Sequence, residues 1–386
     1  MKIFIIILTI SMNVFSQKVY QVLDKSRFEK HALELDLDSI RIIKESEKLL
    51  LIETSEFNIT KFSDLIHEKD FVCGAGSTFF SEDNAIATMN SQSREKGIHA
   101  IMQDYSISRQ ATVNSMISKI SESHFKKAIA DLSSIYSRYF RSPTGVAGSE
   151  WILNKWKKIT KSRDDAEVVL FHHPWSQPSV VAKLKGRSDK IIVIGGHLDS
   201  KNYTQSVGHA PGADDDASGI ATATEVLKVL VESNYQPEHT LLFVGYAAEE
   251  DGLLGSADFV KYINAQNKDV LGVIQMDMTL FNNIDDKIYL VTDFTNNAQN
   301  NFVKDLIIEY VGANQYAETE CGYGCSDHAS WTNLGYPSSF PFESSFSGAN
   351  RAIHTTGDTL NIVDGSVAKG LKFIKLGIAF MVELDK

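Results

Sequence analysis

The sequence predicts an α/β fold: a mostly parallel mixed sheet with helices on both faces, preceded by a small α/β segment. Three observations predict it. From about residue 108 onward, apolar β-branched runs alternate with amphipathic helical stretches, the pattern of parallel strands joined by crossover helices. Two of the runs, 191–194 and 240–247, are apolar nearly throughout, as strands covered on both faces are. Each ends in polar residues, His197 and Asp199 after the first, Glu249 and Glu250 after the second. Open α/β sheets bind their ligands at that edge.

Taken in order, the chain opens with MKIFIIILTISMNVFSQ: a Lys, a short apolar run, then Val14 and Ser16 ahead of Gln17. Residues 1–16 read as a secretory signal peptide, which places the mature protein outside the cytoplasm, extracellular or periplasmic. The run is too short to span a bilayer and no later stretch is apolar enough, so stable membrane insertion is not expected. Residues 17–106 alternate strand-like stretches (Lys48–Thr54) with helix-like ones (Lys61–Glu68) and lack the His and carboxylate clustering found later. They read as a separate small domain, a removable pro-segment that masks the cleft. The Ser- and Gln-rich SISRQATVNS near Ile107 suits a linker or cleavage site, leaving 107–386 as the main domain.

In that domain helices are expected at 123–139 and 146–160, the second with Trp151, Ile152, Trp156 and Ile159 on one face. Strands follow at 166–172, 179–185 and 190–195, then helix 216–233, strand 240–247, helix 255–265 and strands 270–276 and 287–292. Helix 297–311, a loop with two cysteines and strand 336–341 come next. Val367, Leu371, Ile374, Ile378 and Met381 fall at helical spacing and close the chain.

Composition narrows the function. The net charge of −11 argues against nucleic acid as a partner, since phosphate affinity comes from Lys and Arg. Of three cysteines, Cys321 and Cys325 are close in sequence and Cys73 stands apart. An exported chain can keep a disulfide, and a local bridge would leave Cys73 unpaired.

Each candidate has a bland reading. His197 with Asp199, taken alone, is more often a surface hydrogen bond than a ligand with its orienting carboxylate. Asp214, Asp215 and Asp216 precede a helix, where capping accounts for one Asp but not three. Glu249 and Glu250 follow FVGYAA, where two carboxylates need partners, and Asp277 follows another apolar run. His354 lies far along the chain. Together, two His and several carboxylates, most at strand ends, suit a divalent metal such as zinc. A pair of metals needs a shared carboxylate, two further ligands each and a spare base, and this set supplies them. The motifs of the one-zinc protease helix, the serine hydrolase elbow and the P-loop are absent.

The blocks GGHLDS, PGADDDASGIA, YAAEEDGLLGS, QMDM, CGYGCSDHASW, PFES and IHTTGDTL, in that order, resemble the family 28 metallopeptidases, above all their secreted bacterial leucyl aminopeptidases. The likeness spans about 108–386; the segment 17–106 resembles the family's pro-segments only in position and size. It implies the zinc-dependent exopeptidase fold and two Zn²⁺ ions bridged by Asp215, with Glu250 and His354 completing one site and His197 and Asp277 the other. Glu249 would be the general base and Asp199 would orient His197. The resemblance also implies a Cys321–Cys325 disulfide, a cis bond between Asp215 and Asp216, and an apolar pocket of Met278, Tyr323, Phe342, Phe346 and Ile353. The implied reaction is hydrolysis of the first bond of peptides with a free N-terminus, favouring Leu-like residues. Glutaminyl cyclases share the fold but use one zinc. Carboxypeptidase relatives need a cation for the terminal carboxylate, and no Arg cluster stands near these blocks. A binding module that had lost catalysis would have lost ligands, and none is missing.

Overall fold

The N-terminal unit is an antiparallel four-stranded sheet with helices packed on it. In this computed structural model residues 18–70, 76–91, 104–281 and 285–386 are described; the signal-peptide reading and Cys73 lie outside them. The elements are β1 (Lys18–Asp24), α1 (Lys25–His31), β2 (Arg41–Glu45), β3 (Leu49–Ser55), α2 (Glu56–Asp70), β4 (Ser77–Phe79) and α3 (Glu82–Ser91). Strand order is β2-β3-β1-β4. Side chains alternate across a strand, so the sheet has two apolar faces. Val19, Leu23, Leu50 and Ile52 meet Phe28, Ile59, Phe62 and Ile66 of α1 and α2 on one. On the other, Val22, Leu49, Leu51 and Phe79 pack with Ala85 and Met89 and with Leu253, Phe294 and Ala329 of the main domain.

The main domain holds α4 (Gln110–Ile117), α5 (Glu122–Ser133), α6 (Pro143–Thr160), β5 (Ala166–Phe171), β6 (Ser179–Leu184), β7 (Ser188–His197), α7 (Ala217–Glu232) and β8 (His239–Tyr246). It continues with α8 (Leu254–Ala265), β9 (Val270–Gln275), β10 (Ile288–Val291), α9 (Asn297–Tyr310), β11 (Tyr316–Thr319), α10 (His328–Asn333), β12 (Ser338–Phe342) and α11 (Leu371–Glu383). The eight strands are ordered β11-β10-β12-β9-β7-β8-β6-β5. The central four, β12, β9, β7 and β8, are parallel, and antiparallel pairings occur toward the edges.

The period of two is explicit in the centre. Ile192 and Ile194 of β7, with Leu241 and Phe243 of β8, enter the larger core under α5, α6, α7 and α11. Ile191, Val193, Leu242 and Val244 point the other way, to Phe259, Val260, Ile263 and Trp331 of α8 and α10. Each such side chain contributes about 1.5–3 kcal/mol by leaving water. Two glycines let the site-bearing segments touch: a Cβ on Gly219 would lie 2.0 Å from the Met276 carbonyl, and one on Gly196 would lie 2.8 Å from it. The first turn of α7 therefore rests directly on the ends of β7 and β9. Among the described residues no helix is long and apolar enough to cross a membrane.

Two expectations are corrected. The Ser- and Gln-rich stretch is not a linker: α4 runs through it, Val113 and Met116 are buried in the main core, and the Ser108 and Arg109 amides donate to the Glu383 carboxylate. The helix expected to reach residue 139 ends at Ser133. Arg138, fully buried, stops it by folding back on the Leu132 carbonyl while also donating to those of Leu198, Pro211 and Gly212.

Candidate metal centre and active site

The polar ends of the central strands converge. His197 is the last residue of β7, Glu249 and Glu250 follow β8, and Asp277 follows β9. Asp214–Asp216 precede α7, and His354 comes from the long connection after β12. His197 Nε2 is 2.8 Å from Asp215 Oδ1 and 3.5 Å from Asp277 Oδ1. His354 Nε2 is 3.2 Å from the other oxygen of Asp215, Oδ2, and touches Glu250 Oε2. The ligand atoms of His197, Asp215 and Asp277 lie within 4.8 Å of one another, as do those of Asp215, Glu250 and His354. Asp215 is thus common to two buried groups, one oxygen toward each. All five residues expected as ligands are brought together.

The three consecutive aspartates divide the work. Asp216 caps α7: Oδ1 accepts from the Gly219 and Met278 amides and Oδ2 from the His197 amide. Asp214 accepts from the Leu280 amide and from Asn350 Nδ2. Asp215 is left to face the histidines, and its bond to Asp216 is cis. Asp199 lies 3.5 Å from His197 Nδ1, beyond an ordinary hydrogen bond. Its firmer contacts are with the amides of Glu249 at 3.0 Å and Glu250 at 3.2 Å, so it holds the β8 end as much as the imidazole.

Sequence reasoning missed the supports. Asp358 accepts from the Asp214 and Asp215 amides, both at 3.1 Å. Glu343 accepts from the Phe281 and Asn350 amides, and Ser326 Oγ donates to Asp277 at 2.6 Å. Each lies inside a quoted block, but a lone carboxylate or hydroxyl in a loop carries no periodic signal.

The electrostatics fit a cation. Burial would depress His354, yet Glu250 and Asp215 raise it to about 10. Burial would raise Asp215, yet His197 and His354 hold it below the ordinary carboxylate range. Glu250 is raised to about 7 by burial and Asp215 against the pull of His354. Glu249 is pushed well above its usual range by burial, with Asp327, Asp277 and Glu250 adding to it and His197 opposing. Both Glu249 oxygens and Glu250 Oε1 are buried without a hydrogen-bond partner in the protein. Buried carboxylates of this kind are paired or coordinate metals.

Beside the centre, Met278, Tyr323, Phe342 and Ile353 form one apolar cluster with Val291, Phe340, Cys321 and Cys325, and Phe346 packs against it. Cys321 and Cys325 are disulfide-bonded, and Asp293 accepts the Cys321 and Gly322 amides. The pocket residues expected from the sequence therefore lie together.

The N-terminal unit, expected to mask the cleft though it lacks the His and carboxylate clustering, lies on the site. Ser63 Oγ of α2 donates to the Glu250 carbonyl at 2.9 Å. One turn on, the His67 ring lies 4.1 Å from that of His354 and 5.2 Å from that of Tyr203. Arg27 of α1 sits over the Tyr323 ring at 4.9 Å. Asp64 Oδ1 is 2.7 Å from Nζ of Lys201, which also meets Asp251 at 3.1 Å.

Residues 179–377 match the sequence profile of peptidase family M28. A probable leucine aminopeptidase of Arthroderma benhamiae is 36% identical over 282 residues, which are 72% of this chain and 77% of that protein. The crystal structure of the LapA aminopeptidase of Legionella pneumophila superposes with a TM-score of 0.82 at 27% identity, over 95% of this chain and 98% of that one. The N-terminal sheet falls within that overlap. A glutaminyl cyclase of Porphyromonas gingivalis, at 16% identity and a TM-score of 0.57 over 68% of this chain and 98% of its own, shares the fold alone.

Proposed function

The chain belongs to peptidase family M28, which is metal-dependent, and from that premise we propose that it is a secreted di-zinc aminopeptidase that removes N-terminal, preferably Leu-like residues from peptides. One observation carries the reading: Asp215 turns its two oxygens toward two separate His–carboxylate pairs. His197 and Asp277 would hold one zinc, Glu250 and His354 the other, with Asp215 shared. Zinc held there supplies a Lewis acid for the scissile carbonyl and makes water acidic enough to ionise near pH ~7.

The protein's own groups do the rest. Glu249 takes the proton from the attacking water and returns it to the leaving amine; burial and the neighbouring carboxylates raise its proton affinity, and cations held beside it would offset them and leave it ionised as a base. Asp199 keeps Glu249 in place through the backbone amide. Met278, Tyr323, Phe342, Phe346 and Ile353 receive the first side chain, and their apolar character disfavours a charged one. Such pockets discriminate by about 1–3 kcal/mol per methylene.

The N-terminal unit is the pro-segment in this reading. Its support is the placement of α1 and α2 over Tyr323, Glu250 and His354. The segment joining it to the main domain, 92–103, is where cleavage is expected. The function is tested on chain cut there and loaded with zinc. Two zinc ions per chain and turnover of leucyl anilide but not N-acetyl-leucyl anilide are expected. Equal turnover of the blocked substrate, or cyclisation of an N-terminal glutamine in its place, defeats the reading.

A further inference from the structure

Lys201 is a fully buried ammonium on the loop after β7, two residues beyond Asp199. A buried cation needs an anion, and losing one is costly. Lys201 has two. Asp251, at 3.1 Å, belongs to the main domain and follows Glu250 directly. Asp64, at 2.7 Å, belongs to the N-terminal unit, and its side chain is still 27% exposed. The Asp64 carboxylate thus occupies the solvent side of Lys201, with Asp251 behind.

The surroundings relate this spot to the reacting centre. The loop of Lys201 is tied to His354, because the Tyr203 amide donates to the His354 carbonyl at 3.0 Å. Ser63, beside Asp64, lies on the Glu250 carbonyl, and His67, one turn later, lies on the His354 ring. Because α2 lies over Glu250 and His354, a peptide whose scissile bond meets these ligands takes the place that α2 now occupies.

We propose that Lys201 is a carboxylate-binding subsite for substrate beyond the scissile bond, and that Asp64 fills it in the uncut chain. This rests on the aminopeptidase and pro-segment readings above. When the N-terminal unit leaves, Lys201 keeps Asp251 and loses its outer anion. A substrate carboxylate restores a charge-assisted hydrogen bond to a poorly hydrated ammonium. Two sources share the chemistry: the terminal carboxylate of a dipeptide and an acidic side chain at its second residue.

The test uses zinc-loaded chain cut within 92–103 and freed of the N-terminal unit. The ratio of kcat/KM is measured for Leu-Ala against Leu-Ala-amide, and for Leu-Asp-Ala-amide against Leu-Asn-Ala-amide. At least one ratio is expected near tenfold, and which one identifies the source. Lys201→Met should bring that ratio to about 1 and Lys201→Arg should keep it. Because both members of a pair are read on the same enzyme, a general loss of activity cancels. Ratios of about 1 in the unsubstituted enzyme, or an unchanged ratio in Lys201→Met, overturn the subsite. Failure of the premises shows elsewhere: equal leucyl anilide turnover before and after cutting defeats masking, and none in either form defeats the aminopeptidase. In those cases calorimetric Kd values for the same four peptides decide the subsite.

Discussion

The imidazole of His67 lies against that of His354 with 4.1 Å between ring centroids, although one belongs to the N-terminal sheet domain and the other to the candidate metal centre. The same helix places Ser63 on the Glu250 backbone and Asp64 on Lys201. In the pro-segment reading, a substrate reaching Glu250 and His354 displaces it. Cutting within 92–103 is therefore expected to raise leucyl anilide turnover at least tenfold. In the uncut chain, Ser63→Ala with His67→Ala should raise the residual turnover several-fold, since a buried hydrogen bond and a ring contact are each worth about 1 kcal/mol. An uncut chain already as active as the cut one would show that α2 does not obstruct the site.

Removal of metal should reveal a pH dependence of stability. In the metal-free fold His354 sits at about 10, against about 6.5 in an unfolded chain. Its stabilising contribution is complete below about pH 6.5 and is lost as pH rises through 10. Glu250, raised to about 7, and Asp214, raised to about 6, act with the same sign, because the fold binds their protons more tightly than the unfolded chain does. Chelated protein should lose Tm steadily from pH 5.5 to 8.5, and the gap to the zinc-loaded form should widen. Thermal unfolding at three pH values with and without chelator measures it; a gap that narrows upward contradicts the assignment.

The disulfide bears on substrate more than on metal. Cys321 and Cys325 flank Tyr323 and share its apolar cluster, while neither belongs to the two ligand groups. Cys321→Ser with Cys325→Ser should raise KM for leucyl anilide about three- to tenfold and leave zinc content at the unsubstituted level. Zinc loss in that variant would place the loop in the metal centre instead.

The candidate ligands at strand ends were legible from the sequence pattern, whereas His354, far along the chain, was assigned only through the family resemblance. An apolar run that stops at His197, or at Glu249 and Glu250, marks both the strand and the edge at which it ends. The three aspartates were half-legible: excess over capping was evident and the family resemblance singled out Asp215, but not that Asp216 binds three amides. Helix α4 was hidden because its eight residues show only Val113 and Met116 as a buried face, too few to display a period. Masking of the cleft by the N-terminal segment was expected, but which residues of α2 would contact the site was not legible, for another reason. Ser63, Asp64 and His67 look like the solvated side of any amphipathic helix, and their partners lie more than a hundred residues away. The packing of the N-terminal sheet on Leu253, Phe294 and Ala329 helps bring them to the site.

In the proposed mechanism Glu249 and Glu250 separate catalysis from metal holding. They are neighbours in sequence, both buried and both bound through their amides to Asp199. Their side chains diverge: Glu250 reaches His354, whereas neither Glu249 oxygen has a hydrogen-bond partner in the protein. Glu250→Ala removes a member of a three-residue group, so zinc content and turnover should fall together. Glu249→Ala removes none, so both metals should stay while turnover drops by about 10²–10⁴, the usual contribution of a positioned base. KM should move much less, because the pocket is untouched. Glu249→Gln keeps the shape and cannot take the proton, so it should match the Ala variant in turnover. Near-normal turnover in either Glu249 variant, with two zinc ions bound, would assign the proton transfer to another group; Asp327, buried nearby and raised to about 7, would be the next to test.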